Sequence, residues 1–452
     1  MVTPVILERA EHPVSRRDID PNVLKVLYRL IGAGHIAYLV GGGVRDLMMG
    51  GRPKDFDVAT SAHPHQVREL FRNSRMIGRR FRLVHVFFRQ QNIEVATFRR
   101  QAEQLTLDDD PLIRHDNTFG TPEEDAFRRD FTINALFYDP ATFRVIDYVN
   151  GAADIKARLI RTIGDPELRM REDPVRMIRA VRFAVKLGLE IEPATLAAIE
   201  RHRRDLLKAS TPRLVEETFR TLTLPDADLA LMLLQRLGLL ELLLPLLAAH
   251  LAAAPDLETA PSVANLTRLG ALIARGIDPP RPLILACLYA DLHLAQQRAA
   301  NPGDRFALVD ALRQRGFSRA ETDQMRVLLE ALTLIVTRAR NLRRLATRPY
   351  FNDARRLFEL VAPTIGDDPA ELDQFLAAPP APPKASLRRR RRRSGRRRRP
   401  TPTALATSLP HNGGDPAMAP PPLAAAPLAA APLPTLAEES RGLTAPDPNA
   451  TE

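Results

Sequence analysis

Ten arginines fall within twelve positions late in this chain: Arg388, Arg389, Arg390, Arg391, Arg392 and Arg393, then Arg396, Arg397, Arg398 and Arg399. No packed core absorbs that density of like charge, so the segment is expected to be solvated and disordered. Pro400 to Glu452, on its C-terminal side, is an Ala/Pro/Leu low-complexity tail expected to be flexible. The fold must therefore come from residues before about Ala378. Apolar residues make up 45 % of the chain, enough to bury a core, and with Trp absent that core rests on Leu, Ala, Ile and Val.

The hydrophobic pattern divides this part in two. Up to Asp165, short runs rich in β-branched or aromatic residues predict strands at Ile36–Val40, Phe56–Ala59, Leu83–Phe88, Ile93–Phe98 and Val145–Tyr148. Helices are predicted from Asn22 to Ala33 and from Pro64 to Phe71. This alternation reads as an α+β domain, a small mixed sheet with helices. From Pro166 strands are expected to disappear: Val175, Ile178, Val181 and Val185 recur at helical spacing, and Leu229 to Leu247 is Leu-rich with the same period. The expected organisation is an N-terminal extension at 1–20, a head domain at 21–165, a helical neck at 166–230 and a helical body at 231–378. A basic extension at 379–400 and the tail at 401–452 complete it.

Charge and cysteine content narrow the class. A net charge of +11 and a pI near 10.3 favour a polyanionic partner or serve solubility. The single cysteine, Cys287, lies in the apolar run Pro282–Tyr289 and reads as a buried inert thiol, which excludes a disulfide or zinc framework. No signal-peptide-like or membrane-spanning run is seen, and a cytoplasmic protein is expected.

The chemistry-bearing residues cluster in the first part. Strand-forming Leu39 and Val40 run into Gly41, Gly42 and Gly43, then into a helix-like segment starting near Val44 that carries Arg45 and Asp46. Glycines let a backbone approach a phosphate closely, and a helix start adds N–H donors; a tight turn is the plainer reading. Next come Asp55 and Asp57, two apart on a predicted strand and so on one face, with Phe56 behind. Carboxylates this close repel unless a cation lies between them, and magnesium, or manganese, suits the pair. Glu94, on an alternating strand, and Asp130, in Arg128-Arg129-Asp130-Phe131-Thr132-Ile133-Asn134, compete to complete the site. Arg128 and Arg129 offer charge to a triphosphate or pair on the surface with Glu123 and Glu124. His85, between Val84 and Val86, is read as a packing or positioning group. In Glu172-Asp173-Pro174-Val175-Arg176, Asp173 is either the N-cap before Pro174 or, with Arg176, a pair presented to a base edge. Arg179 and Arg182 extend a basic stripe along that helix.

Taken in this order, from about Ala37 to Gly188, these motifs resemble the bacterial class II nucleotidyltransferases, which comprise poly(A) polymerases and tRNA CCA-adding enzymes. The segment Ile77–Val86 and the basic extension look like those of the poly(A) polymerases. The resemblance implies metal-binding or catalytic roles for Asp55, Asp57 and Asp130; Glu94 stays a metal-ligand candidate on its strand pattern alone. It implies nucleotide binding around Gly42, Gly43, Arg45, Arg129, Asn134, Asp173, Arg176 and Arg179. The activity implied is template-independent transfer of AMP from ATP to RNA 3′ ends; CCA addition to tRNA is the alternative, and a non-catalytic RNA-binding protein a more distant one. The arginine block is expected to grip RNA phosphates, and a monomer working with RNA-decay proteins is expected. His115-Asp116 has no partner cluster in the sequence and is not read as part of a metal domain.

Overall fold

The computed structural model describes residues 3–78, 82–89, 91–100, 119–298 and 306–378. The arginine block, the Ala/Pro tail, His115-Asp116 and part of Ile77–Val86 lie outside the described residues.

The head is an eight-stranded sheet: β1 (Val5–Leu7), β2 (Ala37–Val40), β3 (Asp57–Thr60), β4 (Ser74–Ile77), β5 (Leu83–Phe88), β6 (Gln91–Thr97), β7 (Leu136–Asp139) and β8 (Arg144–Asp147). Its order is β1-β8-β7-β2-β3-β6-β5-β4, antiparallel throughout except where β3 meets β6. Five strands match the predicted runs within two residues. The other three fall outside them for different reasons. β7 is a central strand whose Leu136, Phe137 and Tyr138 are all buried, so it shows no alternation. β4 carries polar Ser74 and Arg75 on a sheet edge, and β1 is only three residues long.

Helices cover the sheet on both faces. α1 (Pro21–Gly32) starts as its sequence dictates: Asp20 accepts a hydrogen bond from the Asn22 N–H, and Pro21 occupies the first turn. Val23, Val26, Leu27 and Leu30 form its buried stripe. With α3 (Pro64–Leu70) it packs on the face bearing Leu39 and Val58. The opposite face, bearing Val40, Ala59 and Phe137, packs on Ala126 of α4 (Pro122–Phe127) and on Ile163. Between them along the chain is α2 (Gly42–Met48), and after β8 comes α5 (Gly151–Ala157).

Beyond the head the described chain is mostly helical: α6 (Pro166–Glu172), α7 (Val175–Leu187), α8 (Pro193–His202), α9 (Thr211–Leu222) and further helices to Ala377. Strands do not cease at Pro166, however. β9 (Leu159–Ile160) pairs in parallel with β10 (Glu190–Ile191), and parallel strands need a crossover, here supplied by α6 and α7. The helical core also reaches back into the head through Phe131 and Ile133, which pack with Ile178 and Val181 of α7 in one buried cluster. Each such fully buried side chain contributes about 1.5–3 kcal/mol. Cys287 sits at 0 % exposure in that core, where burial pushes its thiol up to about 12. No described helix is long and apolar enough to cross a membrane.

Candidate active site

The site is built where β2 ends. Val40 pairs with Asp57 across the β2–β3 ladder, and Asp57 pairs with Glu94 across β3–β6. The chain therefore leaves the sheet through Gly41 right beside the Asp57 carboxylate. Gly41 takes φ 67° and ψ −136°, open only to glycine, and a Cβ there would meet Arg129 Nη1 at 3.2 Å and Asp57 Oδ2 at 3.8 Å. Gly43 is equally confined: its Cβ would lie 3.2 Å from the Phe56 ring and 3.5 Å from the Asp55 carbonyl. Gly41 opens the glycine run read from the sequence but is not among the expected nucleotide-binding residues; its place immediately after a strand is the available signal. The helix expected near Val44 begins at Gly42.

Asp55 and Asp57 do not share a strand, as the two-residue spacing suggests. β3 begins at Asp57, and Asp55 lies in the loop before it. Both side chains are open to solvent, and neither makes a hydrogen bond or ion pair among the described residues. The protein packed around Asp57 and the negative charges of Glu94 and Asp55 nevertheless raise its carboxyl above the ordinary range, against the pull of Arg129. Crowded carboxylates with no ion pair among the described residues fit a divalent ion. Among the described residues no three His, Cys, Asp or Glu side chains converge as a closed metal site. The pair suits an open site instead, in which one or two carboxylates hold magnesium and waters and phosphates fill its shell.

The two candidates for the third carboxylate part company. Glu94 stands beside Asp57 with its side chain half exposed, tied to His85 Nε2 at 3.3 Å, while Asn92 contacts His85 Nδ1 at 2.9 Å. His85 is thus a group that holds Glu94. Asp130 is consumed internally: Asn134 Nδ2 and the Phe131 N–H donate to one oxygen, and Arg179 holds the other at 2.6 Å. Burial alone would raise its pKa, but Arg179 and these hydrogen bonds prevail and hold it below the carboxylate range.

The arginines are also placed differently from expectation. Arg128 and Arg129 pair with the buried Asp125, each at 2.8 Å, because Asp125 stands three and four residues before them on α4 and the adjoining turn. Asp125 is a site residue that sequence reasoning missed, though that spacing could have found it. Arg129 also donates to the Asn134 carbonyl at 3.0 Å, which fixes it against Gly41. Arg45, at 3 % exposure, donates to Asn134 Oδ1 at 2.6 Å and binds Asp46, so it braces the loop from within. Arg176 is buried too, held by the Arg169 carbonyl and Glu172. Asp173 is not the N-cap of α7: it closes α6, and Pro174 takes the cap position with no side-chain bond. The Asp173 carboxylate pairs with Arg213 of α9 at 2.7 Å. Arg179 and Arg182 form no open stripe; both bind the buried Glu217 of α9 at 3.0 Å. Glu217 gave no signal in the sequence, since only the tertiary fold brings α9 against α7.

Residues 37–161 match the sequence profile of the poly A polymerase head domain, and residues 188–251 that of the probable RNA and SrmB-binding site of polymerase A. Over these residues the chain is similar to the bacterial poly(A) polymerases and CCA-adding enzymes. Among curated relatives, Poly(A) polymerase I of Escherichia coli O157:H7 is 54 % identical over 224 residues, 48 % of each chain. Poly(A) polymerase I of Haemophilus influenzae is 42 % identical over 259 residues, 56 % of this chain and 57 % of its own. The chain thus spans about half the length of the curated relatives it matches. Among solved structures, the CCA-adding enzyme of Bacillus stearothermophilus in complex with CTP is 29 % identical, with a TM-score of 0.59 over 79 % of this chain and 82 % of that one. The Thermotoga maritima CCA-adding enzyme complexed with tRNA shares the fold, at 20 % identity and a TM-score of 0.56 over 82 % of this chain and 85 % of that one.

Proposed function

We propose that this chain is a template-independent nucleotidyltransferase that adds AMP from ATP to RNA 3′ ends. The observation that carries the reading is the open couple Asp55 and Asp57, without an ion pair among the described residues and set against Gly41 and Arg129, in a head whose relatives include poly(A) polymerases. Magnesium, or manganese, held by the two carboxylates would polarise the α-phosphate and ease deprotonation of the RNA hydroxyl. The remaining chemistry is positioning. Gly42 and Gly43 open α2, with Gly43 packed against Phe56 and the Asp55 carbonyl, and Arg129 places a fixed guanidinium beside Gly41 for a phosphate. Asp173, at the α6–α7 junction, offers an acceptor to a base once Arg213 yields it. Attack by the 3′-oxygen on the α-phosphorus forms one P–O bond and releases pyrophosphate. Glu94, tied to His85, is a secondary carboxylate of the site, and Asp130 acts through Arg179 and Asn134.

The arginine block adds a salt-sensitive grip on RNA phosphates in this reading. A monomer in the cytoplasm, acting with RNA-decay proteins, is the setting it implies. CCA addition is the second reading, favoured by the likeness to the Bacillus stearothermophilus enzyme. Incubation of the full chain with generic RNA, or with tRNA lacking its terminus, and each labelled nucleotide tests both. Long adenylate tracts support the proposal. Cytidylate incorporation that stops after a few additions overturns it in favour of CCA addition, and RNA binding without any transfer overturns both.

A further inference from the structure

One continuous run of hydrogen bonds links α9 to the glycine loop. Glu217 accepts from Arg179 Nη1 at 3.0 Å, and Arg179 Nε donates to Asp130 Oδ2 at 2.8 Å. Asp130 Oδ1 accepts from Asn134 Nδ2 at 3.0 Å, and Asn134 Oδ1 accepts from Arg45 Nη1 at 2.6 Å. Arg45 lies in α2, and its backbone N–H closes on the Gly41 carbonyl. The Asn134 amide is read from both ends, so only one orientation satisfies the run. Phe183 gathers the guanidiniums of Arg45, Arg179 and Arg182 at 5.2, 5.2 and 4.4 Å. The three carboxylates of Asp46, Asp130 and Glu217 balance them. Without the Glu217 charge, Arg179 would be left with Asp130 and Arg182 would lose its ion pair.

We propose that Glu217 is a positioning residue for nucleotide binding: it fixes Arg179, and through Asp130, Asn134 and Arg45 it sets the glycine loop beside Asp57. This rests on the reading of the loop as the nucleotide site. The near-isosteric Glu217→Gln in the full chain tests it. The KM for ATP, and the ATP Kd by calorimetry, should rise about tenfold while kcat changes less than about threefold. Amide exchange at residues 42–48 and 131–134 should quicken, although Glu217 makes no hydrogen bond to either among the described residues. Glu217→Asp, which keeps the charge, should recover part of the KM. A lowered Tm with KM, Kd and exchange at 42–48 all unchanged overturns the proposal, as does a fall in kcat at constant KM. If the wild-type chain binds ATP but transfers nothing, the reading of activity fails alone, and Kd with exchange still decides the role of Glu217.

Discussion

The carboxylates at the start of β3 and those at the head–neck junction are the same residue types in opposite circumstances. Asp55 and Asp57 crowd together with no ion-pair partner among the described residues. At the junction, Asp125, Asp130 and Glu217 are each held by arginine and each nearly buried. The buried three are satisfied by protein groups, whereas the accessible pair makes no ion pair among the described residues, which is what the proposed metal site requires. Unpaired charge is tolerated where it serves chemistry, and paired charge is used where elements must stay in register.

Two substitutions push this contrast hardest. In the proposed reaction Asp57→Asn removes a metal-holding carboxylate, so nucleotidyl transfer should fall on the order of a thousandfold or more. The metal-free Tm should not drop, since a like-charge repulsion is relieved. A lowered Tm with activity intact would place Asp57 among the structural carboxylates. At the junction the signs reverse. Arg179→Met leaves Asp130 and Glu217 facing each other without their shared cation, and denaturant unfolding should show a loss of about 3 kcal/mol. A stability change below about 1 kcal/mol would show that the junction is held by the packing of Phe131, Ile178 and Val181 instead.

A pH series separates the regions less sharply but in one experiment. Asp125 and Asp130 bind protons less readily folded than unfolded. The stability they supply is complete above the unfolded carboxyl range, near 4. It is lost as pH falls through their lowered folded values. Tm should drop steeply below pH 4; in Asp130→Asn that low-pH drop should be shallower, from a lower starting Tm. An identical profile in the variant would remove Asp130 from the acid-sensitive set.

Legibility in the sequence tracks the range of the interactions. The strands carrying Glu94 and His85, the α1 cap at Asp20 and the glycine loop rest on neighbours a few residues away, and all are readable in order. Asp57 and Glu94 are adjacent because β3 runs parallel to β6, a pairing that period-2 patterns do not specify, so Glu94 and Asp130 stayed equal on sequence grounds. The arginines show the same limit. Arg45, Arg176 and Arg179 read as donors waiting for a nucleotide, since nothing near them in the chain announces Asn134, the Arg169 carbonyl or Glu217. Asp125 is the exception, a partner three and four residues away that helix geometry alone identifies.

Arg213 stands between the two regions and sets the smallest expected effect. Its ion pair with Asp173 has the short distance of a junction contact, but the arginine is 55 % exposed. Exposed pairs of this kind are worth about 0–1 kcal/mol, so Arg213→Ala should move the Tm by a degree or two. If Asp173 belongs with the functional carboxylates, freeing it should still alter the choice of nucleotide. The ratio of kcat/KM for ATP to that for CTP should shift a few-fold, with the ATP rate itself within about threefold of wild type. A shift in the ratio with no loss of stability places Asp173 with Asp55 and Asp57. An unmoved ratio with a Tm loss comparable to that of Arg179→Met places it with Asp130, as one more strut between α6 and α9.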